Sequence, residues 1–210
     1  MNYDLLWPLV VFAFVSSATP GPNNMMLLAS GANFGLLRTV PHMFGIGIGF
    51  GLMIVLVGMG LMQIFDAFPI TDLILKVVSV IYLIWLAWKI ATAAPKLADA
   101  PDTGGTPMTF LQAAAFQWVN PKAWSMGIYA ITNFAKDDDG ARGLFAVCVV
   151  ALAFVLVNFP SVTIWAVLGQ QMRRFLTSPM RLRAFNITMA VLLVATLIPV
   201  LFPDLFTSAT

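Results

Sequence analysis

Two short segments of the chain put polar and backbone-breaking residues inside otherwise apolar stretches. The first is Thr19-Pro20-Gly21-Pro22-Asn23-Asn24 and the second is Asn120-Pro121-Lys122. Each proline removes an amide donor from a helix, and Gly21 adds a hinge. Bare carbonyls and amides are intolerable in hydrocarbon, so such a break is viable only where protein or water receives the freed groups. The asparagines supply further donors and acceptors, and Lys122 supplies a cation well inside a hydrophobic run. A lysine at the centre of a bilayer is unfavourable by about 2.5–3.5 kcal/mol. It must be offset by a partner, by water or by snorkelling to the headgroups. The candidate binding residues are Pro20, Gly21, Pro22, Asn23, Asn24, Asn120, Pro121 and Lys122, with Asn158 beside Pro160 lining the same space. The expected chemistry is recognition of an anionic group. Lys122 and the amides of the half-helix after its break would meet a carboxylate.

The elements that carry these breaks follow from composition. The chain has 210 residues, of which 60% are hydrophobic and 10% charged. Soluble domains carry about 25% charged residues. A globule of this size must keep a polar wetted surface, whereas lipid contact removes that requirement. The mean hydropathy of +0.91 agrees. There is no glutamate, so the Glu–Lys pairs of long surface helices are missing. A net charge of +2 does not imply a nucleic-acid partner. The one cysteine, Cys148, excludes an internal disulfide and is expected to pack in its apolar run. No cleavable signal peptide is expected, because the N-terminus lacks a basic region.

Spanning helices need about 20 mostly apolar residues. Six candidates cover about 5–30, 40–65, 70–90, 108–135, 143–170 and 184–203. The fold expected is an all-α integral membrane domain with two inverted three-helix repeats, each opening with a broken helix. Repeat one is about 1–93, a loop is about 94–107, and repeat two is about 108–210. Pro22 and Pro121 lie half a chain apart, each in the first helix of its half, and an odd number of spans inverts the second copy. Paired interruptions of this kind point to a transporter site. Arg38, Lys89, Lys96, Arg173, Arg174, Arg181 and Arg183 fall on one side, and Lys76, Lys136 and Arg142 on the other. The positive-inside rule therefore puts both termini outside the cytoplasm. Asp137-Asp138-Asp139 is then a solvated outer turn or a weak cation-attracting mouth. Gly45, Gly47, Gly49 and Gly51 form two i,i+4 pairs that allow close helix approach. His42 is assigned a structural or interfacial role.

At these residues the chain resembles the LysE/RhtB family of bacterial amino-acid exporters. The motifs are Thr19-Pro20-Gly21-Pro22-Asn23, the glycine run, Tyr82-Leu83 with Ala87-Trp88-Lys89, Asn120-Pro121-Lys122-Ala123, and Ser178-Pro179 with Arg181 and Asn186. The resemblance spans nearly the whole chain. It implies a multi-pass protein of the bacterial inner membrane that exports a small amino acid or derivative by ion-coupled alternating access. The implied cavity residues are Pro20, Gly21, Pro22, Asn23, Asn120, Pro121 and Lys122. In such an exporter, carbonyls freed near Pro20–Pro22 would meet the ammonium of a zwitterionic solute, and Lys122 its carboxylate. Many relatives carry a polar or acidic residue just after the glycine run. Here Phe50-Gly51-Leu52-Met53-Ile54 is apolar, which argues against assuming proton coupling and shifts the expected substrate toward uncharged or apolar side chains. The expected partners are that solute and the bilayer, with a homodimer left open and no nucleic acid. No cofactor, metal or enzymatic activity is expected. An intramembrane protease would need an acid pair or a Ser–His dyad. The alternative function is a cation exporter or channel, which would need buried carboxylates or carbonyl rings.

Overall fold

The computed structural model describes residues 3–68, 70–93, 106–135 and 143–202. Among them there is helix and no strand. The expected loop at 94–107 falls mostly outside the described residues, as do Lys96, Asp137-Asp138-Asp139, Lys136 and Arg142. A short 3-10 turn leads into α1 (Leu6–Ala18), which the Thr19–Gly21 break separates from α2 (Pro22–Phe34). Then come α3 (Leu36–Leu56), a wide turn at Val57–Leu61, α4 (Met62–Ala67) and α5 (Ile70–Ala91). After the loop lie α6 (Phe110–Phe116), a 3-10 turn at Gln117–Val119 and α7 (Pro121–Phe134). The chain closes with α8 (Leu144–Met172), α9 (Pro179–Ala195) and α10 (Ile198–Leu201).

Helix starts are written in local chemistry. Pro22, Pro121 and Pro179 each take a first-turn position, where a missing amide costs nothing. The Asn120 side chain accepts from the Lys122 amide, and Ser178 from that of Arg181. Thr109 and Gln112 form a reciprocal capping box at the start of α6. Gly35 joins α2 to α3 alone, with φ of 79°, and Gly60 has φ of 110° in the wide turn. Both backbones lie where a Cβ is strained.

Four segments are long and apolar enough to cross a membrane: Leu36–Leu61, Ile70–Ala91, Leu144–Met172 and Pro179–Leu201. The chain is thus a multi-pass membrane protein in its length and hydropathy. Of their most apolar windows, 50% of the first and 44% of the third are buried, against 22% and 28% for the second and fourth. The segments containing α3 and α8 are therefore inner, while those of α5 and α9 face outward. On α5, Ile74, Ile81 and Ile84 are more than half exposed, a surface suited to lipid. Cys148 is exposed, correcting the expectation that it packs inside. A helix as apolar all round as α8 carries no sequence mark of its inner face.

The glycine run divides its work. A Cβ on Gly49 would lie 2.5 Å from Ala114 Cα, and one on Gly45 would strike the Phe110 carbonyl. A Cβ on Gly51 would lie 2.5 Å from Val155 Cγ2. One glycine pair thus seats α3 on α6. The other edge of the run faces α8. A second close approach joins α2 to α8, where Gly31 meets the Ala166 carbonyl and Gly169 meets the Leu28 carbonyl.

Two apolar clusters flank the breaks. Leu9, Phe50, Ile54, Ile131, Val150 and Phe154 join α1, α3, α7 and α8. Met26, Leu83, Leu86, Phe116, Ala190 and Leu193 join α2, α5, α6 and α9. Each broken helix has one half in each cluster, so both breaks sit at the seam between them.

Candidate functional site

The seam is polar because the end of α1 leaves carbonyls that no later amide in that helix can reach. Each receives a side-chain donor. Asn24 Nδ2 donates to the Ser17 carbonyl at 2.8 Å and to that of Thr19 at 2.7 Å. Trp165 Nε1, from α8, donates to the Ala18 carbonyl at 3.1 Å. The Lys122 ammonium crosses from the second break. It donates to the Thr19 carbonyl and to Thr19 Oγ1, both at 2.8 Å, and to the Pro20 carbonyl at 3.2 Å.

Lys122 therefore sits on the carbonyls expected from the sequence to meet a substrate ammonium. The freed carbonyls concentrate negative partial charge at the C-terminus of a half-helix, and a cation is favoured there. No acid is among the described residues lining the space around it, so those carbonyls are what stabilise the half-buried lysine. Gly21 makes this crossing possible. A Cβ there would lie 2.6 Å from Lys122 Cδ and 3.1 Å from Nζ.

The two breaks are also tied by a reciprocal amide pair. Asn23 Nδ2 donates to Gln117 Oε1 at 2.8 Å, and Gln117 Nε2 donates back to Asn23 Oδ1 at 3.1 Å. Gln117 is not among the site residues expected from the sequence. Its signal was a polar side chain one turn before Asn120 in an apolar span. Asn158 approaches from α8, where its Nδ2 donates to Ser17 Oγ at 3.3 Å. Its Oδ1 is buried and has no hydrogen-bond partner among the described residues.

A central cavity is lined by Ser16, Ser17, Gly21, Asn23, Asn24, Phe50, Gln117, Asn120, Lys122 and Asn158, among others. The space in it open to water centres is only ≈ 20 Å³. That is room for about one water. Of the expected site residues, Gly21, Asn23, Asn24, Asn120, Lys122 and Asn158 are brought together here. Pro20, Pro22 and Pro121 are not. They line an outer groove of ≈ 440 Å³ by the same measure, with Ser125, Thr196 and Pro199. Gly21 and Lys122 line both spaces. The two spaces therefore meet at Gly21 and Lys122.

Four apolar segments of membrane-crossing length, with two chain breaks meeting around a shared polar centre that holds a lysine, fit a membrane protein of the carrier class. Residues 14–198 match the sequence model of the LysE type translocators, and the chain belongs to that family. It is 30% identical over 197 residues to the cysteine/O-acetylserine efflux protein of Escherichia coli O157:H7, covering 92% of this chain and 96% of the relative. The proteins of that name from Escherichia coli K12 and Shigella sonnei are 29% identical over the same span. No solved structure matches the chain.

Proposed function

We propose that the protein exports a small, uncharged-side-chain amino acid or derivative from the bacterial cytoplasm across the inner membrane by ion-coupled alternating access. The reading is carried by the Lys122 ammonium lying on the Thr19 and Pro20 carbonyls. These are the acceptors an amino-acid ammonium would use. In the cycle proposed, the incoming ammonium displaces Lys122 and takes those carbonyls together with Asn158 Oδ1. The freed lysine then meets the solute carboxylate. Ground-state competition of this kind keeps the central cavity small when no solute is present.

The architecture proposed is six spans in two inverted halves, with α1, α2, α3 and α5 corresponding to α6, α7, α8 and α9. The pairing supports it: α1 packs on α8 as α6 packs on α3, while α3–α8 and α5–α9 pair with their own counterparts. The halves differ at their inner contacts. At Gly31 and Gly169, α2 meets α8 backbone to backbone. Its counterpart α7 meets α3 with more room, a Cβ on Gly127 lying 3.7 Å from Phe50 and 3.8 Å from Ile54. Exchange of that asymmetry between the halves would be the access switch. The orientation proposed has the α2–α3, α5–α6 and α8–α9 connections in the cytoplasm and both termini outside, supported by the excess of Lys and Arg on that side.

The relatives' names supply the probes. Vesicles containing the purified protein are loaded with O-acetyl-L-serine or L-cysteine, and release is followed. Wild type is expected to release at least one of them, and Lys122→Met to fall to the rate of protein-free vesicles. Unchanged release with Lys122→Met removes Lys122 from the mechanism.

A further inference from the structure

A second cavity, ≈ 280 Å³ by the same measure, lies where α2 and α5 end and α3 and α6 begin. Its lining includes Ser30, Asn33, His42, Lys89 and Met108. His42 is 1% exposed, and neither Nδ1 nor Nε2 has a hydrogen-bond partner among the described residues. Its polar neighbours are already committed. Ser30 Oγ pairs with Thr39 Oγ1 at 2.8 Å. Asn33 Nδ2 donates to the Ala29 carbonyl and to Asn186 Oδ1, and Asn186 Nδ2 donates back at 3.2 Å. Among the described lining residues, the imidazole is therefore the buried polar side chain that makes no hydrogen bond at all. A neutral imidazole offers one donor and one acceptor. Buried polar groups left bare carry their full desolvation penalty, so a ligand that satisfies both is favoured. The backbone of an amino acid presents both complements, an acceptor carboxylate and a donor ammonium. At the rim, the exposed Lys89 holds its ammonium 4.7 Å from the Trp85 ring centroid and adds a cation.

The two cavities lie along one helix. Asn23, Met26, Ser30 and Asn33 follow three- and four-residue spacing on α2, which places them on a single face. Asn23 lines the central cavity, and the other three line the second one. Between the cavities, Met26 packs in one apolar cluster with Phe116.

We infer that this second cavity is a loading site for the same small zwitterionic solute, with His42 receiving its backbone groups, Lys89 facing its carboxylate, and Met26 with Phe116 closing the way to the central cavity. The inference rests on the transport reading above, and its test separates the two. In a Cys148→Ala background, reporter cysteines are placed at Ser30 in the second cavity and at Ser16 in the central one. Each is modified by methanethiosulfonate ethylsulfonate, with and without O-acetyl-L-serine. Solute is expected to slow modification at both positions. His42→Phe, which keeps an aromatic ring of somewhat larger size but not the nitrogens, is expected to raise the half-protecting concentration at Ser30→Cys about ten-fold while leaving Ser16→Cys within about two-fold. His42→Gln is expected to restore much of the protection. Protection at Ser16→Cys without protection at Ser30→Cys overturns the loading site and leaves the transport reading intact. An equal effect of His42→Phe at both reporters also overturns it. Absence of protection at both positions overturns the transport reading and the loading site together. Met108→Cys, in the lining of the same cavity, gives the same readout should Ser30→Cys fail to fold.

Discussion

At the scale of single residues, the centre of the protein is an exercise in satisfying one helix end. Four consecutive carbonyls, from Ser17 to Pro20, draw donors from Asn24, Trp165 and Lys122. Their donors come from three parts of the chain, so the break doubles as a tertiary junction. Gly21→Ala tests the Lys122 crossing. Its methyl would collide with the lysine stem, so release of the transported solute is expected to fall at least about ten-fold, a change equivalent to about 1.4 kcal/mol. Asn158→Leu separates binding from stability. Its Oδ1 has no partner among the described residues, and its amide makes one long bond, at 3.3 Å. The variant is expected to unfold within about 1 kcal/mol of wild type, because little bonding is lost. Its affinity for the solute is expected to weaken. Thermal unfolding with and without solute measures both, and a large loss of stability in the solute-free protein would show that Asn158 serves packing instead.

At the scale of elements, the glycines of α3 are not equivalent. Gly49 has Ala114 Cα 2.5 Å from the place of a Cβ, whereas Gly47 has only Asn158 Oδ1, at 3.9 Å. Gly49→Ala is therefore expected to destabilise by about 1–3 kcal/mol through overpacking of α3 on α6. Gly47→Ala is expected to be neutral or to stabilise by up to about 1 kcal/mol, since alanine is the better helix former. Equal effects from the two variants would contradict the packing described. The run itself shows two i,i+4 pairs on different faces but not which pair meets a neighbouring backbone. Which neighbour stands opposite is decided by α6 and α8, more than fifty residues away in the chain. The helix starts, by comparison, were legible. Asparagine or serine before proline carries its own capping chemistry, and it does so at Asn120-Pro121 and Ser178-Pro179 alike.

At the scale of the whole molecule, lipid takes the place of a polar surface. Ile81 on α5 is 63% exposed. On a soluble protein an aspartate there would be harmless. Here Ile81→Asp is expected to cost about 2.5–3.5 kcal/mol of insertion free energy. Membrane-integrated yield, compared with that of Ile81→Leu, checks the outcome, and an equal yield would deny that this face meets lipid. A solute bound at 100 times its dissociation constant is expected to stabilise the folded protein by about 2.7 kcal/mol. A thermal-shift screen against small amino acids reads that gain directly and ranks the substrates.

The apolar segments, the two breaks at Pro20–Pro22 and Pro121, and the family resemblance were all legible in the sequence. The reason is physical. Hydrocarbon imposes its demand on every consecutive residue of a span, so spans and their interruptions are local properties of the chain. What only the tertiary structure decided is where the polar groups find one another. Lys122 reaches Thr19 and Pro20, Asn23 pairs with Gln117, His42 is buried beside a cavity, and Cys148 faces outward. Those outcomes depend on which helix faces meet. In helices apolar on every side, no periodicity marks the inner face, so packing between distant segments has to select it.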